Sequence, residues 1–101
     1  MSHDASTTAL LLRVTRKDAE DASGSADAAS AWAPASASPH AHRKAAKRHE
    51  RARDEWTKLA DLVSKYRPIH PTPPEWIEAR ERATYHGYEA SRHWLALEKR
   101  A

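Results

Sequence analysis

Arg67-Pro68-Ile69-His70-Pro71-Thr72-Pro73-Pro74-Glu75-Trp76 is the stretch on which the fold turns. Pro68 disfavours helical geometry in the residue before it, and Pro71, Pro73 and Pro74 lack the amide donor that a helix interior needs. A helix entering this stretch therefore ends at Tyr66 or Arg67. Thr72-Pro73-Pro74-Glu75 then has the form of a capping box, with Thr72 as N-cap, Glu75 reaching back to it, and Pro71 with Trp76 as a hydrophobic staple. Upstream, Ser38 before Pro39 supplies a capping hydroxyl and a proline at the first helical position. These boundaries predict helices over 39–66 and 73–100, each about 42 Å long and joined by a loop of about six residues. Equal lengths and a short loop describe an antiparallel helical hairpin.

The apolar spacing agrees with that architecture. Ala45, His49, Ala52, Trp56, Leu59, Val63 and Tyr66 recur at alternating steps of four and three, as do Trp76, Arg80, Ala83, Gly87, Ala90, Trp94 and Leu97. Such steps form the seam of a left-handed coiled coil. Folding one seam onto the other sets Trp56 against Gly87, His49 against Trp94 and Leu59 against Ala83, with Arg80 as the one misfit. In that register Gly87 makes room for the Trp56 ring. The expected fold class is all-α: a coiled-coil-like two-helix hairpin over residues 39–101, able to dimerise into a four-helix bundle. Residues 1–38 divide into the short apolar piece Ala9 to Val14, a charged piece, and an Ala/Ser tract broken by Gly24 and Pro34. That tract lacks bulk for a core and reads as a flexible linker or a weak helix, and the apolar piece as a strand or a helical turn, so 1–38 are expected to form a largely flexible segment.

Composition narrows the function. The chain has 101 residues, 40% of them hydrophobic, and no cysteine, which excludes disulfides, thiolate zinc sites and thiol nucleophiles. No apolar run reaches membrane-span length and no export signal is read, so the expected location is the cytoplasm. With two glycines there is no phosphate-binding glycine loop and no nucleophile elbow. Glu78, Glu81 and Glu89 read as partners of surface cations, and no catalytic residue, metal or cofactor is expected. His86, Glu89 and His93 share one helical face with His49 across the seam. Only Glu89 and His93 have tight i, i+4 spacing, and they read as an exposed Glu-His pair rather than as metal ligands.

Two surfaces remain as candidates. A second apolar row beside the seam, Ile77, Thr84, Tyr88, Ser91 and Leu95 with Leu62 on the preceding helix, is wider than one hairpin can cover. It predicts a small, non-enzymatic interaction module, an adaptor, regulator or inhibitor that binds a protein partner or a second copy through Leu62, Ile77, Tyr88 and Leu95. The alternative is a nucleic-acid accessory protein. Of the net charge of +3, the excess lies in His40 to Arg53, where Arg43, Lys44, Lys47, Arg48 and Arg51 crowd a helix start and oppose its dipole. The hairpin would add Arg92, Lys99 and Arg100 at the same open end, where a polyanion would relieve the repulsion. A basic segment feeding a heptad seam resembles the basic-zipper DNA-binding proteins in outline. The asparagine and the serine or cysteine of their basic motif are absent from His40 to Arg53, so their function is not carried over.

Overall fold

The computed structural model describes residues 5–67 and 71–99. Three helices follow one another: α1 Ala5–Ala31, α2 Pro39–Tyr66 and α3 Pro74–Glu98. They form an elongated bundle of 54 × 22 × 19 Å. The two-helix hairpin with a flexible N-terminal segment is thus corrected to a three-helix bundle. The first part of the Ala/Ser tract, through Ala31, is the C-terminal end of α1, which packs closely on α2, and the rest forms the α1–α2 connection.

The reason lies in the tract's own spacing. Leu12, Thr15, Ala19, Ala22, Ser23, Ala26 and Ala29 are all buried, and their spacing traces one continuous helical stripe, which Ala33, buried just beyond the helix, extends. Alanine has the best helix propensity, so a tract with little bulk still folds as a helix. Small side chains on the stripe let the α1 backbone approach α2 closely, and the larger groups of α2 and α3 fill the space between.

Ser38 caps α2 by accepting a hydrogen bond from the Ala41 amide at 3.2 Å. The capping box expected at α3 does not form. Pro73 occupies the N-cap position without a side-chain cap bond, and Glu75 lies 3.7 Å from Arg67 Nε instead. That contact ties the two sides of the turn together; residues 68–70, on which part of the turn reading rests, lie outside the described residues.

The register also differs from the hairpin expectation. His49 faces His86 and His42 faces His93, so α3 is displaced by about two turns against α2. It is also rotated by one position, burying Ala79, Ala83, His86, Ala90 and His93 rather than the series through Arg80, Gly87 and Trp94. A third helix demands this. A hairpin buries one seam, whereas in a bundle each helix must present a stripe to two neighbours. Arg80 is accordingly exposed, with its guanidinium 6.0 Å from the Trp76 ring centre.

Trp56 sits instead in a core of Leu12, Ala19, Leu59, Ala60, Val63, Ala79 and Ala83 near the α2–α3 turn. Gly87 is not its socket. A Cβ at Gly87 would meet only Arg53 side-chain carbons, the nearest being Cδ at 3.4 Å, and one at Gly24 would meet nothing within 4 Å. Both glycines lie in helix interiors, where alanine is favoured by about 1 kcal/mol. Gly24→Ala and Gly87→Ala are each expected to raise the unfolding free energy by roughly 0.5 to 1 kcal/mol, read from urea denaturation. Destabilisation by Gly87→Ala would contradict this register.

Candidate functional site

The half of the bundle away from Trp56 is filled by polar rings. His42, His49, His86 and His93 are each 1% exposed or less. His42 and His49 come from α2, His86 and His93 from α3, and each pair is separated by seven residues, so the four rings stack as two layers. Ser23 and Ser30 of α1 carry the same interval.

In the layer nearer the centre, Nδ1 of His49 and Nδ1 of His86 are 2.8 Å apart, and Nε2 of His86 is 2.7 Å from the Ser23 hydroxyl. That hydroxyl accepts a hydrogen bond from Trp56 Nε1 at 2.7 Å. In the outer layer, Nδ1 of His42 and Nδ1 of His93 are 2.9 Å apart, Nε2 of His93 is 2.7 Å from the Ser30 hydroxyl, and Arg92 donates to that hydroxyl at 3.4 Å. The layers touch through His49 and His93, whose rings stack with centres 6.0 Å apart. One Ser-His-His motif thus occurs twice along the same interior.

Proton positions within each layer are constrained. An indole or guanidinium N–H can only donate, so each serine oxygen accepts from it. If Ser23 passes its own proton to His86 Nε2, His86 must donate from Nδ1 to His49, which then carries its proton on Nε2. If His86 instead donates to Ser23, His49 donates from Nδ1 and its Nε2 is a bare lone pair. In both arrangements Nε2 of His49 is left over. The same reasoning leaves Nε2 of His42 over, and these two nitrogens are buried without a hydrogen-bond partner among the described residues. Buried polar atoms without partners are uncommon and costly.

Burial opposes the charging of three of these rings. Desolvation is the largest cause lowering His49, His86 and His93 from the usual histidine value. His93, which also feels Arg92, His42 and His49, is held at about 4. Asp27 and Glu89 act in the opposite sense on His49 and His86.

Asp27 of α1 is exposed at the rim of the inner layer. Its carboxylate and one ring nitrogen each from His49 and His86 lie within 4.8 Å of one another. The Tyr85 hydroxyl donates to Asp27 at 3.4 Å, and the Tyr85 phenol is raised above its usual value by burial first and by Asp27 and Glu89 next. Glu89, grouped with His86 and His93 in the sequence, does not join them. Arg92 Nε binds it at 2.6 Å, and this bond is the main reason its carboxyl lies below the usual range.

The residues expected to bind a partner divide. Leu62 is half-buried and packs against the Trp56 core, whereas Ile77, Tyr88 and Leu95 are exposed on α3. The basic residues gather at an end that is not open. The α1–α2 connection lies there, and it brings the C-terminus of α1, with its partial negative charge, beside the start of α2. Arg48 and Arg51 share a groove with Asp18, Asp21 and Glu55, so carboxylates of α1 offset part of the stripe. Arg43, Lys44 and Lys47 are exposed on α2. Arg92 and Lys99 line a separate groove with His42 and Leu95, and Arg100 lies outside the described residues.

The seven-residue repeat of histidine and serine is visible in the sequence, but their meeting depends on the position of α1. No described helix is long and apolar enough to cross a membrane. Comparison with known protein families, with characterised proteins and with solved structures gives no match to this chain, so its function is argued from its own geometry.

Proposed function

We propose that the protein is a non-enzymatic interaction module that associates with a second copy of itself through the apolar row of α3. The observation that carries this reading is exposure in the presence of a complete core: Tyr88 is 77% exposed, Leu95 53% and Ile77 43%. These residues stand at intervals of eleven and seven, which return to nearly the same side of a helix. The third helix covers the seam and leaves this row in water.

The Ile77 end of this row offers more apolar surface. Because Ser23 meets His86 and Ser30 meets His93, α1 runs parallel to α3, and Val14 lies level with Ile77. Leu10, Leu11 and Val14 are all exposed there. Burying such groups against a partner is favourable at roughly 25 cal/mol per Å².

Wild-type protein is expected to sediment as a dimer or higher oligomer at micromolar concentration. Tyr88→Glu with Leu95→Glu should yield a monomer that keeps its helical circular dichroism, because neither residue contributes to the core. A wild-type monomer over the whole accessible range, or an oligomer indifferent to the double substitution, would remove the basis of this reading.

A further inference from the structure

We propose that His49, His86 and Asp27 form a binding site for a divalent transition-metal ion of the zinc class. Two imidazoles and one carboxylate are the borderline nitrogen and oxygen donors that such ions select. Their ligand atoms already lie within 4.8 Å of one another, and a tetrahedral ion with bonds of about 2.0 to 2.1 Å requires neighbouring donors roughly 3.3 Å apart. Asp27 is exposed on its helix, so it can close that distance by side-chain rotation. The two buried histidines come from the adjoining faces of α2 and α3.

A further feature fits an ion. Ligating histidines commonly donate the other ring N–H to an oxygen, which fixes the ring and its tautomer. Ser23 stands at that position, 2.7 Å from His86 Nε2, and is itself anchored by Trp56. This leaves Nδ1 of His86 to ligate, facing Nδ1 of His49 at 2.8 Å, where a single proton is shared between two nitrogen lone pairs. An ion takes the place of that proton once the two nitrogens move apart by about 0.5 Å to the tetrahedral spacing.

The site has three protein donors and faces solvent on the Asp27 side, so a water or an incoming group completes the coordination. Tyr85, which donates to Asp27, orients the carboxylate. Among the described residues no carboxylate joins His42 and His93 in such a group, and the charge of Arg92, which donates to Ser30, disfavours a cation in the outer layer.

Zn2+ titrated into chelator-treated full-length protein at neutral pH, followed by calorimetry, tests the site, with visible absorption of the Co2+ form as a second readout. The expected result is saturable binding of one ion per chain, with Co2+ bands of a nitrogen-ligated, low-coordinate ion. Asp27→Asn, at an exposed position where folding is preserved, should weaken binding by about tenfold or more. His40→Ala, which removes an exposed histidine of another region, should leave it unchanged. Absence of saturable binding, or equal affinity in the Asp27→Asn protein, overturns the proposal.

Discussion

Acidification of the metal-free protein from pH 7 to pH 4 is expected to remove several kcal/mol of stability, with most of the loss above the carboxylate range. The four interior histidines are packed as two facing pairs, Nδ1 against Nδ1 at 2.8 and 2.9 Å, and each contact needs one ring to keep a lone pair. A second proton in the Nδ1–Nδ1 contact sets N–H against N–H in a buried place. The unfolded chain meets no such obstacle, and its histidines titrate near 6.5. Folding lowers His49, His86 and His93, so between the folded and unfolded values the unfolded state binds more protons. Stability therefore rises with pH across this window: it is fully present above about 6.5 and is lost as pH falls towards 4. For His93, held at about 4, one unit corresponds to about 1.4 kcal/mol, giving roughly 3 kcal/mol for this residue alone. His49 and His86 add to it in the same direction. Asp27 and Glu89 moderate the effect, while Arg92 and Arg82 reinforce it. Urea-unfolding free energies of chelator-treated protein, measured at closely spaced pH values, provide the check. A flat profile from pH 7 to 4.5 would contradict the neutral, buried pairing.

What the sequence reveals and what it conceals have separate physical causes. Prolines and a capping serine set helix boundaries through local backbone chemistry, and local chemistry is legible without tertiary structure: Ser38 does cap α2. The Ala/Ser tract shows that bulk is a poor test of a core element. The buried positions of α1, from Leu12 through the tract to Ala29, hold the same three-and-four spacing as the larger helices, and alanine's propensity rather than its volume decides the local state. Everything after that tract depends on it. With two helices, the best seam on α3 runs through Arg80, Gly87 and Trp94. With three, the seam is Ala79, His86 and His93, one position round the helix, which carries the histidines from the hairpin's edge into the interior. Their seven-residue intervals are plain in the sequence, but nothing in it sets Ser23 and Ser30 opposite them. That contact spans 63 residues of chain.

The second large effect is expected at Trp56. Its ring is fully buried, with the guanidinium carbons of Arg82 and Arg16 at 5.3 and 5.9 Å from the ring centre, so two cations cover a face that a smaller residue would leave empty. Arg16 is fixed in turn by Glu78 across the α1–α3 boundary at 2.7 Å. Trp56→Ala opens a cavity in the cluster of Leu12, Leu59, Val63 and Ala79, and substitutions of this type cost about 3 to 5 kcal/mol. It also removes the donor that fixes the Ser23 hydroxyl, the first member of the chain running to His86 and His49. Against a total of about 5 to 15 kcal/mol for a domain of this size, this loss takes a large part of the folded population. Trp56→Phe separates the two contributions, because it retains most of the volume while deleting the indole N–H. Its cost should be about 1 to 3 kcal/mol, the range for leaving a buried hydroxyl without its donor. Urea denaturation followed by far-ultraviolet circular dichroism measures both. If Phe proved as costly as Ala, the lost hydrogen bond rather than the cavity would set the cost. A loss below about 1 kcal/mol for Ala would place Trp56 outside a packed core altogether. The expected order, Ala well below Phe and Phe below wild type, ties the apolar half of the bundle to the histidine half through a single side chain.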